Sequence, residues 1–299
     1  MRPDFFIVGA QKCGTTSLYR YLGQHPEVFM SAKPDPHFFG SDLTRADFYV
    51  KSEAEYLALF EGSEGALRRG EVSTLYLYSE KAAGEIQSWN PDARIIVLLR
   101  NPVDLMYSLY AENVFRGRED AATFERALAA EVRRSTGLGG PASQHPEPLM
   151  YRRTARFSEQ IERYLAHFEP EQVHFVLLED LRADAASVFR DTCTFLGIDA
   201  SYAPDFERHN PNKTVRSSRI RRWLVRPPEV ARRLARRVTT RRARREFFDF
   251  ATRLNTRFSD RAPMEPGLRQ ALHEEFAGEI ERTGALIGRD LRGIWGGAS

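Results

Sequence analysis

The sequence has few cysteines and no long apolar run. Two cysteines in 299 residues exclude a disulfide scaffold and fit a reducing compartment, so we expect a cytoplasmic protein. No stretch reaches the roughly 18 to 20 apolar residues of a membrane span, and Met1–Asp4 lacks the layout of a signal peptide. With 42% hydrophobic and 28% charged residues, the chain is neither collagen-like nor wholly disordered. It is long enough for a well-buried core.

A large net charge is also lacking, because the whole chain carries only +3. The charge is unevenly distributed, however. Residues 216–245 contain 13 arginines, no lysine and one acidic residue, Glu229, so this arginine-rich segment has a net charge of +12. The rest of the chain therefore carries −9. A basic segment on an acidic body suggests an anionic partner for that segment.

Short apolar runs predict the strands of a parallel sheet. These runs are Asp4–Gly9, Gly70–Ser73, Arg94–Leu99 and Val173–Leu178. Their continuity is typical of strands covered on both faces. Helical patterns alternate with them: Thr15–Gly23, Ser52–Phe60, Glu80–Trp89, Val103–Phe115, Phe124–Arg134, Thr154–Phe168 and Ala185–Leu196. Loops are predicted at Gly137–Pro148 and Asp199–Thr214. We therefore predict an α/β fold, a parallel sheet flanked by helices, as a single domain over 1–299 with a helical C-terminal elaboration.

The first motif follows the first predicted strand and reads Gly-Ala-Gln-Lys-Cys-Gly-Thr-Thr-Ser over residues 9–17. Gly9 and Gly14 have the spacing of the P-loop pattern GxxxxGK[ST], which makes the fold P-loop-like. Thr15 replaces the lysine of that pattern, and Lys12 lies inside the loop instead. Helix N–H groups, the Lys12 charge and the hydroxyls of Thr15, Thr16 and Ser17 fit an anion. The alternative is a glycine turn capped by threonines.

The second motif follows the strand Arg94–Leu99 and reads Arg-Asn-Pro-Val-Asp-Leu-Met-Tyr-Ser over residues 100–108. Arg100 leaves the carboxyl end of a strand, where open α/β sheets bind ligands. Ser108 lies two helical turns further along. An arginine fork with a hydroxyl suits a terminal phosphate. The alternative is that Arg100 pairs with Asp104 or caps the helix.

Together the two motifs resemble those of the PAPS-dependent sulfotransferases, in particular the bacterial and heparan-type members. PAPS is 3′-phosphoadenosine 5′-phosphosulfate. Further matching segments are Gly70–Leu77, Glu179–Leu181, Phe195–Gly197 and Leu286–Leu291 with Trp295. The resemblance covers nearly the whole chain except the arginine-rich segment. It implies an enzyme that transfers a sulfuryl group from PAPS to a hydroxyl or amine of a glycan, lipid or small metabolite and releases PAP, without a metal.

The resemblance also assigns the donor-binding residues. It implies that the first loop binds the 5′-phosphosulfate through Lys12, Cys13, Gly14, Thr15, Thr16 and Ser17. Arg100 and Ser108 would bind the 3′-phosphate. Lys213 and Arg216, in the place of the family's late basic loop, could reach the phosphates. Tyr151 is a guess for the residue that stacks on adenine.

The acceptor side is expected near residues 33–39, Lys-Pro-Asp-Pro-His-Phe-Phe. The family pattern Lys-Glu-Pro-His-Phe-Phe has its catalytic base at the glutamate, which implies Asp35 as the base here, one methylene shorter. An acceptor hydroxyl or amine needs such a base to lose its proton. His37 is the rival base or a structural histidine, and Asp35 alone could be a turn residue. Glu71 could polarise an acceptor or orient Lys12.

Several alternatives stay open at this point. Cys13 could be a reactive thiol, because its cationic neighbours favour a thiolate, or simply a small residue in the loop. The whole chain could be a nucleotide or small-molecule kinase, although the missing P-loop lysine argues against this. It could also be a nucleic-acid or membrane-binding protein, but we expect no nucleic acid. The oligomeric state is not predicted.

The arginine-rich segment has three interpretations. Val230, Leu234 and Val238 recur every four residues and form a narrow apolar stripe, with Arg232 and Arg236 away from it. Such a helix can lie on an anionic membrane surface, here the inner face of the membrane. It can also pack its stripe on the domain and lend arginines to the donor pocket. The third interpretation is that it binds an acidic glycan acceptor.

Overall fold

The computed structural model describes residues 1–43, 49–136, 147–206 and 262–296, together with the backbone of strands at 213–215 and 256–258. The predicted helix and stripe of the arginine-rich segment lie outside the described residues, as does most of the loop predicted at Gly137–Pro148.

The chain divides into two compact units. The first comprises Met1–Met106, Arg152–His209 and Arg269–Ser299, and the second comprises Tyr107–Tyr151 and Asn210–Leu268. The prediction of a single domain over 1–299 stays a prediction.

A five-stranded parallel sheet forms the centre of the first unit. Its strands are β1 (Phe5–Gly9), β2 (Val28–Met30), β3 (Arg68–Val72), β4 (Arg94–Leu99) and β5 (Val173–Leu177). They lie in the order β2-β3-β1-β4-β5, and each neighbouring pair is parallel. All five residues of β1 and the last five of β4 are buried, which explains the apolar runs in the sequence. The α/β prediction is confirmed.

The strand order reverses direction at β1. The chain adds β2 and β3 on one side of β1, and then β4 and β5 on the other. Ligands bind outside the carboxyl ends of the strands at such a reversal. The contact of β1 with β3 is close, because a Cβ atom on Gly70 would lie 2.0 Å from the ring of its register partner Phe5. Only glycine fits at that position.

Helices connect and follow the strands. In chain order they are α1 (Thr15–Leu22), α2 (Glu53–Ala58), α3 (Ala82–Trp89), α4 (Pro102–Phe115), α5 (Phe124–Ser135), α6 (Tyr151–Ala155), α7 (Phe157–Leu165), α8 (Leu178–Ala183), α9 (Ala185–Leu196), α10 (Pro266–Ile287) and α11 (Leu291–Trp295). Short 3₁₀ turns lie at Glu147–Leu149 and Pro170–Gln172. Within the described ranges, no helix is long and apolar enough to cross a membrane.

Two predictions from the sequence, for residues 154–168 and 199–214, were wrong in detail. The helix predicted over Thr154–Phe168 is split between α6 and α7 at Arg156, whose φ of −82° and ψ of 82° are not helical. The loop predicted over Asp199–Thr214 ends in a strand, β6 (Lys213–Val215), which pairs antiparallel with β7 (Thr256–Phe258).

The second unit contains a buried ionic cluster. The Glu119 side chain accepts hydrogen bonds from Arg134 Nη2 at 2.7 Å, from the Tyr151 hydroxyl at 2.7 Å and from the Ala121 N–H at 2.8 Å. Both carboxylate oxygens are therefore satisfied. A buried ion pair is tolerated when its remaining polar atoms are also paired, so this cluster is a structural element.

Candidate functional site

The loop between β1 and α1, residues 9–14, is the predicted phosphate loop, and it ends at the N-terminus of α1. Lys12 has a φ of 65° and Gly14 a φ of 94°, and a Cβ atom on Gly14 would lie 3.0 Å from the side chains of Leu178 and Leu181. This crowding, with the positive φ, requires glycine at position 14. Gly14 is the N-cap of α1 and supplies no side-chain cap. The first N–H groups of α1 therefore present their partial positive charge to whatever lies beside the loop.

The three hydroxyl residues at the start of α1 differ in exposure. Thr15 is buried, Ser17 is half-buried and Thr16 is exposed. The N–H groups of Ser17 and Leu18 both donate to the carbonyl of Gly14, at 2.9 and 3.2 Å. Helix geometry gives the Thr15 and Thr16 N–H groups no intrahelical acceptor, so they suit an oxyanion.

Arg100 meets this loop from the end of β4. β4 pairs with β1, and the Ala10 N–H donates to the Leu98 carbonyl at 2.7 Å. Arg100 Nη1 donates to the Lys12 carbonyl at 3.5 Å. The two sequence motifs are therefore adjacent in space. The Arg100 side chain is largely buried, and its Nε has no partner among the described residues.

The alternative interpretation of Arg100, an ion pair with Asp104, is present but weak. Arg100 Nη2 lies 3.9 Å from Asp104 Oδ2, whereas Asp104 Oδ1 accepts from Arg269 Nη1 at 2.9 Å. Asp104 thus has a closer partner on α10. The guanidinium of Arg100 keeps capacity for a phosphate, which it can bind through two parallel N–H donors.

Asn101 fixes the chain between Arg100 and α4. Its Oδ1 accepts from the Val103 N–H at 2.9 Å, and its Nδ2 donates to the Trp295 carbonyl at 2.9 Å. Its own N–H donates to Glu179 Oε1 at 3.4 Å. Asn101 therefore caps α4 and ties it to α11. The sequence showed this residue only as part of a motif.

Cys13 is an inert part of the loop. Its side chain is buried, and burial raises the pKa of the thiol far above its ordinary value. Of the two interpretations of Cys13, this favours the small loop residue over the reactive thiol, because desolvation outweighs the attraction of Arg100 and Lys12. Its backbone N–H donates to the Ala10 carbonyl at 3.3 Å. The buried side chain does not present a group to a donor.

Asp35 lies on the other side of the loop, next to the end of β3. The Asp35 N–H donates to the Val72 carbonyl at 2.8 Å. Asp35 Oδ1 accepts from the N–H and the hydroxyl of Thr74, at 3.0 and 2.9 Å. The Thr74 carbonyl is within 3.0 Å of where a Cβ atom on Gly9 would stand. Asp35 is therefore anchored beside the first residue of the phosphate loop.

The Asp35 carboxylate has the exposure that a base needs. Its side chain is 47% exposed, and the hydrogen bonds from described residues reach only Oδ1. Oδ2 is therefore the oxygen that the predicted role as base would use. Thr74, which the sequence analysis did not single out, holds the carboxylate in place.

His37 is buried behind Asp35. The residue is 5% exposed, and burial lowers the pKa of its imidazole to about 4. Nε2 lies 3.5 Å from Asp35 Oδ1, and the ring packs against Tyr49 with centroids 4.5 Å apart. A neutral, enclosed imidazole favours a structural role for His37, and of the two predicted bases Asp35 is the more accessible.

The residues expected to be catalytic share an unusual backbone. Within the described ranges, Lys12, Asp35 and His37 are the non-glycine residues with positive φ, at 65°, 52° and 47°. Left-handed backbone costs such residues about 1–2 kcal/mol, and it persists where the surrounding contacts impose it. Backbone strain of this kind is common at functional sites. Here it occurs at Lys12 of the phosphate loop and within residues 33–39, which we call the acceptor segment.

The structure says less about the other predicted residues. Glu71 is fully buried and faces hydroxyl groups of the core, so it is not available to polarise an acceptor. Ser108 is buried on α4, the helix that follows Arg100, and its assignment to the 3′-phosphate stays a prediction. Tyr151 is fully buried, with its hydroxyl on Glu119, so the guess that it stacks on adenine was wrong. Lys213 lies on β6, where only the backbone is described, and Arg216 lies outside the described residues.

The fold and this loop define a class. A parallel sheet whose strand order reverses at a phosphate loop, with an arginine from the next strand and an exposed carboxylate alongside, is a P-loop-like group-transfer fold. Residues 2–222 match the model of the sulfotransferase domain. The chain belongs to the sulfotransferase domain family.

Solved and curated relatives agree with this assignment. A crystal structure of a sulfotransferase from Alicyclobacillus acidocaldarius is 31% identical, with a TM-score of 0.74 over 99% of this chain and 100% of that one. The human bifunctional heparan sulfate N-deacetylase/N-sulfotransferase 3 is 30% identical over 66% of this chain. The mouse heparan sulfate glucosamine 3-O-sulfotransferase 3B1 is 29% identical over the same share. The matches span 22% and 46% of those two proteins.

Proposed function

We propose that the protein transfers a sulfuryl group from PAPS to a hydroxyl or amine acceptor and releases PAP. The observation that carries this proposal is the phosphate loop with Arg100 on its β4 side and Asp35 on its β3 side. The loop and Arg100 supply cationic and N–H donors for the phosphosulfate and a further phosphate. Asp35 supplies the base that an acceptor requires.

In the proposed reaction the acceptor oxygen or nitrogen attacks the sulfur in line with the bridging oxygen to phosphate. The new bond to sulfur forms as the sulfur–oxygen bridge breaks, and the bridge electrons leave with PAP. Lys12 and the N-terminus of α1 stabilise the negative charge that develops on the leaving oxygen. Asp35 Oδ2 takes the acceptor proton. His37, being neutral, adds no positive charge that would weaken Asp35 as a base.

Binding of PAP tests the donor assignment against the kinase alternative. The position of Lys12 and the guanidinium of Arg100 favour a nucleotide that carries a separate 3′-phosphate. ATP lacks that phosphate, and its β- and γ-phosphates need the lysine that Thr15 replaces. In a thermal-shift titration, PAP should stabilise the protein more than ATP with magnesium. Stronger stabilisation by ATP with magnesium would favour a kinase.

The acceptor class we propose is a glycan. The support is the names of two relatives, which act on heparan sulfate. Transfer of ³⁵S from labelled PAPS to desulfated heparan sulfate, compared with a small phenol and a lipid extract, distinguishes the glycan from the metabolite and lipid acceptors.

The arginine-rich segment carries a second part of the proposal, peripheral attachment to an anionic membrane near a lipid-linked acceptor. Each arginine close to such a surface contributes about 1 kcal/mol, so half of them would suffice. Sedimentation with anionic vesicles should be salt-sensitive and fall when Arg232, Arg233, Arg236 and Arg237 become glutamine. Equal recovery with neutral and anionic vesicles, or recovery with neither, would favour the interpretations as donor-site scaffold or glycan clamp.

A further inference from the structure

The segment that carries Asp35 is held at every second backbone N–H. These N–H groups donate to acceptors at the end of β3: Asp35 to the Val72 carbonyl at 2.8 Å, His37 to Ser73 Oγ at 3.1 Å, and Phe39 to the Tyr76 hydroxyl at 3.1 Å. Two of the three acceptors are hydroxyls. A hydroxyl can rotate, and it offers a lone pair to the segment only when its own proton points elsewhere.

Both hydroxyls interact with the carboxyl group of Glu71. This residue is fully buried at the end of β3, and its Oε2 accepts from the Ser73 hydroxyl at 3.3 Å. The hydroxyl of Tyr76 also interacts with the Glu71 carboxyl. With its proton committed to Glu71, Ser73 Oγ turns a lone pair toward the His37 N–H. The same argument applies to Tyr76 and the Phe39 N–H.

We propose that Glu71 is a positioning residue for the acceptor segment, residues 33–39. By orienting the hydroxyls of Ser73 and Tyr76, it fixes the strained backbone at Asp35 and His37 and so aims the Asp35 carboxylate. This role rests on the proposed function, in which Asp35 is the base. It differs from the role expected of Glu71 from the sequence, because Glu71 contacts neither an acceptor nor Asp35 directly.

The surroundings of Glu71 let it exist in two protonation states. The groups that interact with it electrostatically are Tyr56 from α2, Tyr76 and Asp35 beside β3, and Tyr164 from α7. None of these is a cation, and burial raises the pKa of Glu71 to about 8. The Tyr56 hydroxyl hydrogen-bonds to the Glu71 carboxylate, which favours the ionised form and opposes the effect of burial. Ionisation of Glu71 therefore changes the field at His37, one hydroxyl away.

The His37 imidazole reports this connection without any turnover. In protein labelled at histidine ¹³Cε1, the His37 signal, assigned with His37→Ala, should shift once with a midpoint near pH 8. That is far above the value of about 4 to which burial lowers the pKa of the His37 ring itself. Glu71→Gln should abolish this shift. The matched control Glu85→Gln alters a carboxylate that holds Gly40 and Ser41 of the following turn, and it should keep the shift.

A second variant, Ser73→Ala, tests the same connection if Glu71→Gln fails to fold. Ser73→Ala leaves Glu71 in place but removes the hydroxyl between it and His37, so the shift near pH 8 should again be lost. The proposal is overturned if the wild-type His37 signal shows no such shift, if the shift persists in folded Glu71→Gln or in Ser73→Ala, or if Glu85→Gln loses it equally.

Calorimetry with PAP separates this role from the proposed function. Glu71→Gln should bind PAP within about twofold of wild type, because Glu71 is not among the groups assigned to the donor. Loss of PAP binding in this variant alone would contradict a role limited to the acceptor segment. Failure of the wild type to bind PAP would refute the proposed function, while the His37 titration would still decide whether Glu71 acts on that segment.

Discussion

Arg100→Ala should weaken PAP binding without damaging the fold. Arg100 is largely buried, and its Nε has no partner among the described residues. A hydrogen bond to a charged group contributes about 1.5–3 kcal/mol. Since 1.4 kcal/mol corresponds to about a tenfold change in affinity, the dissociation constant for PAP should rise by about 10- to 150-fold.

The structure indicates why the fold should survive this change. Asp104 keeps its 2.9 Å contact with Arg269 when Arg100 is removed, so no buried carboxylate loses its last partner. Arg100→Lys should fall between alanine and wild type, because lysine keeps the charge but not the planar fork. Arg282→Ala removes an exposed arginine that pairs with Glu162, and it serves as the control.

Isothermal titration calorimetry with PAP measures all of these variants. Unchanged PAP affinity in Arg100→Ala, or an equal loss in Arg282→Ala, would refute the assignment of Arg100 to a donor phosphate. If Arg100→Ala is partly unfolded at the temperature of the titration, the argument that the Asp104–Arg269 contact preserves the fold would be refuted.

Four further predictions concern catalysis and stability. Asp35→Asn should lower kcat by about 100-fold or more and keep PAP affinity; normal turnover would remove Asp35 as the base. Glu119→Ala should cost about 3–5 kcal/mol in urea unfolding, because it leaves a buried arginine unpaired, whereas Glu281→Ala, in an exposed pair, should cost at most about 1 kcal/mol. Cys13 should react with a thiol reagent only after unfolding, and rapid native labelling would contradict its burial. Because of Glu71, the free energy of unfolding should fall as the pH rises from about 5 to about 8, by at most about 1.4 kcal/mol per pH unit. In this range the folded protein holds a proton on Glu71 that the unfolded chain has released. A denaturation series in which Glu71→Gln keeps this slope would contradict the prediction.

The sequence predicted the long elements because their cause is local. β4 and α9 have the predicted bounds, since a continuous apolar run or a helical period is visible in the residues themselves. The three-residue strand β2 was not predicted, because three residues show no period. α8 was also missed, because it begins directly after β5 and its leucines extend the apolar run of that strand.

Those parts of the site that have a local sequence pattern were predicted. The phosphate loop and Arg100 belong to motifs with defined spacing, and the pairing of β1 with β4 brings them together. The positive φ of Asp35 and the anchoring by Thr74 depend on the contact of the acceptor segment with β3. Tertiary contacts of this kind leave no local pattern. The burial of Glu71, which changes its role, could not be predicted for the same reason.

The most direct test of the account is transfer of ³⁵S from labelled PAPS by wild type, Lys12→Ala and Asp35→Asn. The reaction contains desulfated heparan sulfate and, in parallel, an extract of the protein's host as the source of acceptor. The account predicts that wild type forms labelled acceptor and PAP in equal amounts, and that both variants lose this activity while keeping the fold. Intact PAPS in every wild-type reaction, or labelled acceptor formed at the wild-type rate by Asp35→Asn, would contradict it.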